Sequence, residues 1–397
     1  MNAPAPALAA PTPAARATSL PFLRAERAAL EARFPGLDAA LAARPLSALE
    51  AKDSPALAEL RAAGGPGLLV PAELGGGGAS LLEAVRLQRA IGSRAPSLAV
   101  AATMHHFSVS SLVDIARLRG GGGIESMLLG EIAQERLYLA SAFAEGRTGA
   151  SIFSSSLRVE RCLDGLRVNG SKKPCTLSRS FDLLTASLLV PGVAGEPDRF
   201  AVAVIPRATP GLSVRPFWQS PILGATESDE VVLSDVLVPE MQVAYLGEPS
   251  HLDAIQLGGF LAFELLASAS YLGIVSGLVE RALVQGRGAP SDRVVLASEL
   301  EGAAMALEGV ARAADASRAD EESLVAQSLL VRHHAQRAIE RAGDLAVEIL
   351  GGMAFIADPD VSYLLAATRA LAFHPPSRRS AIAGLDAWLG GERLELS

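Results

Sequence analysis

The stretch LRVERCLDGLRVNGSKKPCTLSRSFDLLTASLLV, residues 157–190, differs in character from the sequence on either side of it. Apolar residues alternate with polar ones in the LRV at 157–159 and in the LRV at 166–168, which lie before and after Asp164-Gly165. Such alternation around an Asp-Gly pair predicts a β-hairpin. Further short β-type runs between proline and glycine turns lie at residues 199–206, 212–218 and 230–238. The sequence therefore predicts a compact sheet or barrel domain over residues 136–246.

The sequence on both sides of this region has a helical character. Residues 21–135 are rich in Ala, Leu, Glu and Arg, which favour helices, with breaks at the glycine runs 75–78 and 120–123. Residues 247–397 contain two long apolar stripes at helical spacing. The stripes are Leu296, Leu300, Ala303, Leu307, Val310 and Ala314, then Leu324, Val331, Ala335, Ala338, Ala342, Leu345 and Ile349. We expect helical domains at 21–135 and 247–397, after a proline-broken flexible tail over residues 1–20.

Composition excludes several classes of protein. The chain has 397 residues, 50% of them hydrophobic, which is enough to bury a large core. Its 35 Lys and Arg against 43 Asp and Glu give a net charge of −8, which provides no basic surface for nucleic acid or an anionic membrane. The two cysteines, Cys162 and Cys175, lack the paired spacing of a zinc site. With no signal-peptide pattern and no membrane-length apolar run, the sequence predicts a cytoplasmic protein without metal.

Five segments resemble, in order, the signature motifs of the acyl-CoA dehydrogenase superfamily. They are VPAELGGGGASLLEA at 70–84, LASAFAEGRTGAS at 139–151, VNGSKKPCTLSRSFDLLTA at 168–186, LGATESDEVVLSDVLVP at 223–239 and AVEILGGMAF at 346–355. The resemblance implies the α+β acyl-CoA dehydrogenase fold, in which an N-terminal helical domain and a C-terminal four-helix bundle flank a β-barrel-like domain. It also implies a bound flavin, FAD with FMN as the alternative, and a homo-oligomer, either a tetramer or a dimer.

The resemblance also implies which residues contact the flavin. Thr176 stands where the family has a threonine beside the flavin ring. Glu145 and Gly149 are what remains of a Thr-Glu-Pro-x-x-Gly-Ser-Asp loop, and Arg287 of an Arg-x-x-Phe-Gly motif. The glycine pair of the last segment matches one that lets backbone approach the flavin pyrophosphate. The implied contacts are Thr176 and its neighbour Ser178, Glu145, Gly149, Arg287, Gly351 and Gly352.

The loop that carries the base in thioester dehydrogenases has no carboxylate here. Removal of a weakly acidic α-proton needs a positioned base, which the family supplies as the Glu of a Tyr-Glu-Gly-Thr loop. Aligned through Arg369, this loop reads His374-Pro375-Pro376-Ser377, so proline occupies the base position. Some relatives carry the base on the helix that follows the β domain, where Glu264 is the nearby carboxylate. Glu264 is therefore either a base or a residue that pairs with an arginine or faces solvent.

Three segments, one of them within the motif at 168–186, are similar to the flavin-dependent monooxygenase branch of the superfamily, which includes amine N-hydroxylases and dibenzothiophene monooxygenases. They are TMHHFSVSSL at 103–112, KKPCTLSRSFDLL at 172–184 and FHPPSR at 373–378. In that branch histidines near the flavin replace the carboxylate, and an imidazole suits proton transfer because its pKa lies near working pH. His374, and His106 or its neighbour His105, are thus the candidate catalytic residues.

Three functions remain open on this sequence. The favoured hypothesis is a monooxygenase that uses reduced flavin and O2 on a small amine or another nucleophilic substrate. Because the chain has no nicotinamide-binding glycine fingerprint, a separate flavin reductase would supply the reduced flavin. The alternatives are an acyl-CoA or acyl-carrier thioester dehydrogenase or oxidase that uses Glu264 as its base, and a non-catalytic binding protein of the same fold.

Overall fold

The computed structural model describes residues 20–146, 154–193, 196–246, 254–317 and 319–396. The tail expected over residues 1–20 lies outside these ranges except for its last residue. Seven described helices precede the strands: α1 Arg24–Arg33, α2 Leu37–Ala42, α3 Leu46–Leu49, α4 Ala56–Ala62, α5 Leu81–Arg94, α6 Pro96–Leu118 and α7 Ile124–Glu135. Ser80 caps α5 because its hydroxyl accepts a hydrogen bond from the Glu83 amide at 3.2 Å.

The middle of the chain forms two four-stranded sheets. The described strands are β1 Leu139–Ala142, β2 Arg158–Cys162, β3 Gly165–Cys175, β4 Leu183–Val190, β5 Arg199–Pro206, β6 Leu212–Arg215, β7 Asp229–Val238 and β8 Val243–Tyr245. One sheet has the order β1-β4-β5-β8 and the other β2-β3-β7-β6. The hairpin expected around Asp164-Gly165 is confirmed, since β2 and β3 are antiparallel with Cys162 opposite Gly165.

Strand pairing determines which residues meet at one end of the β domain. β1 runs parallel to β4 and places Ser141 opposite Thr185, while Cys175 at the end of β3 lies opposite Asp229 at the start of β7. Thr176 follows Cys175 directly, so it lies beside the first residues of β7. The sheets therefore bring several hydroxyl side chains to the edge that faces the helices.

The helices after the β domain are α8 Ala254–Gln285, α9 Pro290–Ala316, α10 Glu321–Leu350, α11 Gly352–Ala357, α12 Pro359–Thr368 and α13 Arg378–Leu389. Helix α8 is the central one and packs against α5, α6 and α10. Its approach to α5 is close, because a Cβ on Gly92 would lie 2.4 Å from the Ser270 carbonyl oxygen. A glycine is needed at this crossing since any side chain would separate the two helices.

The two expected apolar stripes are reproduced to different degrees. All six stripe residues of α9 are buried. In α10 the buried face includes Ser328 and Arg332, whereas Val331, Leu345 and Ile349 are only half-buried. The expected stripe of α10 is therefore confirmed at its other four positions and wrong at these three, where the following residue is buried instead. One of those following residues is Arg332.

Two helices are long and apolar enough to span a membrane by length and composition. They are Pro96–Leu118 and Gln256–Gln285, and their apolar windows are 78% and 100% buried inside the protein. Helices buried to this extent form the core of the fold, because their apolar surface is already covered by other elements. Within the described residues no group of three or more His, Cys, Asp or Glu side chains could hold a metal ion.

Candidate active site

A cavity of about 320 Å³ lies between the β domain and helices α6 and α8. Its wall is mainly apolar and includes Met104, Phe107, Phe143, Trp218, Phe260 and Phe263. Its polar lining includes Thr176, Thr226, Ser228, Tyr271 and His374. A mostly apolar cavity of about 300–1,000 Å³ with a few convergent polar groups is the usual form of a cofactor or substrate site. The cavity is therefore the candidate active site.

His374 lies at the cavity on the loop that leads into α13. Its Nε2 is 2.8 Å from the hydroxyl of Tyr271 on α8, and the Phe263 ring meets the imidazole edge-on with centroids 5.9 Å apart. Burial, and secondarily the positive charge of Arg332, lowers the pKa of His374 to about 3. Burial raises the pKa of the Tyr271 hydroxyl. Both groups are therefore neutral at physiological pH, and they can offer hydrogen bonds without adding charge to the cavity.

Thr176 lines the cavity at the end of a chain of hydroxyls. Thr226 donates to the Leu223 carbonyl at 2.7 Å, so its Oγ1 is free to accept a hydrogen bond from Ser228 at 2.8 Å. Ser228 in turn accepts from Thr176, whose Oγ1 is 2.9 Å away. In this arrangement the proton of Thr176 is engaged, and its oxygen presents lone pairs to the cavity. Thr176 is thus suited to accept a hydrogen bond from an N–H group of a bound molecule.

His105 and His106 are buried on α6 and do not belong to the cavity lining. His105 accepts a hydrogen bond from the Leu139 amide at its Nδ1 and donates to the Pro66 carbonyl at 2.9 Å from its Nε2. It therefore ties α6 to β1. The His106 ring lies 5.1 Å from that of His105, and burial holds the pKa of His106 well below its usual range. The structure separates the candidate His106 from His374.

Glu264 is also absent from the cavity lining. Its carboxylate accepts hydrogen bonds at 2.8 and 2.9 Å from Nη1 of Arg332 on α10. The two side chains are 0% and 3% exposed, so the ion pair is shielded from solvent. Of the two roles expected for Glu264, the structure has the pairing with an arginine. Both carboxylate oxygens are engaged by Arg332, and the residue does not line the cavity.

The other expected flavin contacts that the structure describes lie outside the cavity lining, in three places. Glu145 is 2.7 Å from the buried ammonium of Lys172, and the Ser178 hydroxyl donates to the Glu227 carbonyl at 2.6 Å. Arg287 donates to the Leu350 carbonyl at 2.7 Å, which places it beside Gly351 and Gly352 at the end of α10. Of the expected contacts, only Thr176 lines the cavity, and Gly149 lies outside the described residues.

Three parts of the site were not anticipated from sequence: Tyr271, the Thr226–Ser228 hydroxyl pair and Arg332. Arg332 stands four residues after Ser328 and eight after Leu324, on a face continued by Ala335 and Ile339. A charged residue at a buried position of an amphipathic helix is a signal, because charges are almost never buried unless they are paired. Tyr271 gave a weaker signal, because it is a tyrosine with a polar hydroxyl within the long apolar helix α8.

Comparison with known proteins gives the family of the chain. No protein-family model matches it. It is 44% identical over 377 residues to isobutylamine N-hydroxylase of Streptomyces viridifaciens, and the alignment covers 94% of this chain and 99% of that enzyme.

Two solved structures share the fold. KijD3, solved with FMN and a dTDP-linked amino sugar, has a TM-score of 0.79 at 20% identity over 95% of this chain and 96% of its own. The FMN-bound TdsC of Paenibacillus sp. A11-2 has a TM-score of 0.78 at 19% identity over 95% and 99% of the two chains. Near-complete coverage by a relative at 44% identity decides the matter: the chain belongs to the isobutylamine N-hydroxylase family of flavin-dependent monooxygenases, which have the acyl-CoA dehydrogenase fold.

Proposed function

We propose that this monooxygenase hydroxylates the nitrogen of a small aliphatic amine. The observation that carries the proposal is the cavity, which has mainly apolar walls and one cluster of neutral hydrogen-bonding groups. Among the described lining residues none bears a charge at neutral pH, which favours an amine bound as its free base. The free base has the nitrogen lone pair that the reaction requires. The action of the 44% identical relative on isobutylamine supports the same class of substrate.

The chemistry needs both oxygen atoms of O2 to be accounted for. Reduced flavin supplies two electrons and two protons, so that one oxygen atom forms the N–O bond of a hydroxylamine and the other leaves as water. With a flavin bound, Thr176 would accept a hydrogen bond from an N–H group of the ring, and the apolar wall would exclude water. His374, whose ring is held by Tyr271, would donate a hydrogen bond to the oxygen being transferred.

The function is tested by supplying purified protein with chemically reduced FMN or FAD, O2 and a small branched primary amine. We expect the hydroxylamine, detected by mass spectrometry, to incorporate label from ¹⁸O₂. An anaerobic sample gives the matched control and should yield no product. Anaerobic bleaching of the oxidised flavin by an acyl thioester, with no hydroxylamine under air, would instead establish the dehydrogenase function that Glu264 would have served.

Thr176→Val should weaken the binding of reduced flavin more than that of oxidised flavin. Valine keeps the shape but removes the oxygen acceptor, and the reduced ring carries an additional N–H group. Loss of one hydrogen bond of about 0.5–1.5 kcal/mol corresponds to a rise in Kd of about 2- to 12-fold. Anaerobic fluorescence titration measures it. Thr368→Val is the control, since Thr368 bonds only to the Leu365 carbonyl and does not line the cavity. Equal affinities for Thr176→Val and parent would remove Thr176 from the flavin site.

The choice between FAD and FMN concerns the far end of the cofactor. The superfamily resemblance favours FAD, whereas KijD3 and TdsC were both solved with FMN. Arg287, Gly351 and Gly352 form one corner at the end of α10, and we propose that this corner binds flavin phosphate. The same titration with both flavins separates them, because only FAD can gain affinity from its adenosine half.

We further propose that a separate reductase feeds the enzyme and that both act in the cytoplasm. The two cysteines are free thiols, with Cys175 buried and Cys162 exposed, as a reducing compartment permits. Neither a membrane nor nucleic acid is part of the proposal, because the long apolar helices are core helices and the net charge is −8.

The protein should sediment as a tetramer or a dimer. Large apolar side chains are exposed on the C-terminal helices, including Val294, Met305, Leu330, Met353, Phe355 and Ile356. Several such residues on one bundle favour burial against a second copy of the chain. Sedimentation velocity at micromolar concentration measures the assembly, and a single species near the 41.0 kDa of one chain would contradict this prediction.

A further inference from the structure

The Glu264–Arg332 ion pair is buried in the core, next to the candidate active site, but takes no direct part in it. Burying two opposite charges costs several kcal/mol per ion in desolvation, which their attraction only partly repays. A gain in folding stability therefore does not account for the presence of this buried pair. Its other contacts show what the arginine holds.

Arg332 binds the backbone of the loop that carries His374. Its Nη2 donates to the Leu371 carbonyl at 3.0 Å and to the His374 carbonyl at 2.6 Å, while Nη1 holds Glu264. The Leu371 carbonyl also accepts the His374 amide at 3.3 Å. One guanidinium thus links the carboxylate of α8 to both ends of a four-residue turn. Its planar fork of donors has the geometry for this, and a single ammonium does not.

The imidazole is held from the other side by the same helix. Glu264 and Tyr271 are seven residues apart on α8, which is about two helical turns, so they lie on one face. Tyr271 bonds the His374 ring directly, and Glu264 reaches the His374 backbone through Arg332. Helix α8 therefore fixes the position of both the main chain and the side chain of His374.

We propose that Glu264 and Arg332 are positioning residues that set the placement of His374 in the cavity. This inference rests on the proposed monooxygenase function for its effect on product, but not for its effect on the loop. Displacement of a catalytic group by about 1 Å can cost about 100-fold in rate. We call the Glu264–Arg332 pair with its bonds to the Leu371 and His374 carbonyls the clamp. Without the clamp, reduced flavin should still consume O2, but the oxygen should be released as hydrogen peroxide rather than transferred to the amine.

Arg332→Lys is the deciding variant, because lysine keeps the charge that Glu264 requires but cannot also bind both carbonyls. We expect it to fold, to bind flavin as the parent does, and to lose at least about tenfold in hydroxylamine formed per reduced flavin, with hydrogen peroxide rising to match. The control is Arg89→Lys, which alters an equally buried arginine. Arg89 is 3% exposed and paired with Glu26 and Glu301, and it does not line the cavity. It should keep the parent ratio of product to peroxide.

Hydrogen–deuterium exchange of flavin-free protein gives a readout independent of catalysis. The peptide covering residues 369–378 should exchange at least about tenfold faster in Arg332→Lys than in the parent or in Arg89→Lys, since opening of the loop loses its anchor. If the parent makes no hydroxylamine but this exchange difference is present, the proposed function fails and the clamp stands. Parent-like exchange and coupling in Arg332→Lys would overturn the clamp.

A double variant covers the case in which Arg332→Lys does not fold. Glu264→Leu with Arg332→Met removes both charges, and replacement of a buried pair by apolar residues is often neutral for stability. It should fold, with the same fast exchange at residues 369–378 and the same loss of coupling. A folded double variant with parent-like exchange would overturn the proposal, as would equal uncoupling in Arg89→Lys.

Discussion

His374→Ala is expected to release hydrogen peroxide in place of hydroxylated product. A preorganised neutral hydrogen-bond donor is worth about 10²–10³-fold in rate, so product formation should fall by that factor. Consumption of O2 by reduced flavin should continue, because it does not depend on this side chain. The measurement is the yield of hydroxylamine and of peroxide per reduced flavin consumed.

Two companion variants define the role of the imidazole. Tyr271→Phe keeps His374 but removes the 2.8 Å hydrogen bond that holds its ring, so it should uncouple to an intermediate degree. His334→Ala makes the same substitution at an exposed position of α10 and should behave as the parent. If His374→Ala gives the same ratio of hydroxylamine to peroxide as His334→Ala, the reaction does not need the His374 side chain.

The ionisation of His374 changes what its pH profile should show. Burial and the charge of Arg332 lower its pKa to about 3, so the group stays neutral between pH 5 and 9. The sequence argument expected an imidazole that titrates near working pH. The structure instead gives a neutral hydrogen-bond donor. The rate of the parent between pH 5 and 9 should therefore show no titration step that is missing in His374→Ala.

The local hydropathy pattern was enough to predict the order of helices and strands, but not the buried face of every helix. The hairpin at Asp164-Gly165 and the stripe of α9 follow from period-two and helical spacing, which depend only on neighbouring residues. The stripe of α10 was misjudged because Val331 is apolar and Arg332 is charged, so hydropathy alone favours the wrong position. Pairing with Glu264 offsets part of the cost of burying Arg332, and no local pattern contains that partner.

The candidate site was predictable where it depends on a motif and not where it depends on long-range packing. Thr176 and His374 were expected near the flavin from their segments, and both line one cavity. His106 was expected there too, but it does not line that cavity. Tyr271 meets His374 across 103 residues of sequence, a separation at which spacing carries no information.

Glu50 forms a second long-range polar cluster, which links the N-terminal helices to α12. It accepts hydrogen bonds from the Ser97 amide at 3.0 Å and the Ser97 hydroxyl at 2.5 Å, and one from the Tyr363 hydroxyl. Tyr363 in turn accepts from the amide of Leu223, which lines the cavity. Burial is the dominant influence and raises the pKa of Glu50 from 4.5 to about 7, although the hydrogen bonds from Ser97 and Tyr363 oppose it.

This shift makes the free energy of unfolding fall as pH rises. Below pH 4.5 Glu50 is protonated in both folded and unfolded protein, so burial costs no ionisation energy. Above pH 7 it is ionised in both, and the folded state bears the full cost of a buried charge. At about 1.36 kcal/mol per pKa unit, the contribution lost between pH 5 and pH 8 is about 2–3 kcal/mol.

Glu50→Gln should remove this dependence, because glutamine has a similar shape and does not ionise. Other carboxylates act in the opposite sense; the pKa of Glu145, for example, is lowered to about 2 by its hydrogen bonds to Lys172 and Ser156, against the opposing effect of burial. The quantity to measure is therefore the difference in unfolding free energy between variant and parent, from urea titrations at pH 5 and pH 8 at one protein concentration. It should move in favour of the variant by about 2–3 kcal/mol on going to pH 8. Parallel changes in the two proteins would mean that Glu50 is ionised throughout, and that its three hydrogen bonds outweigh its burial.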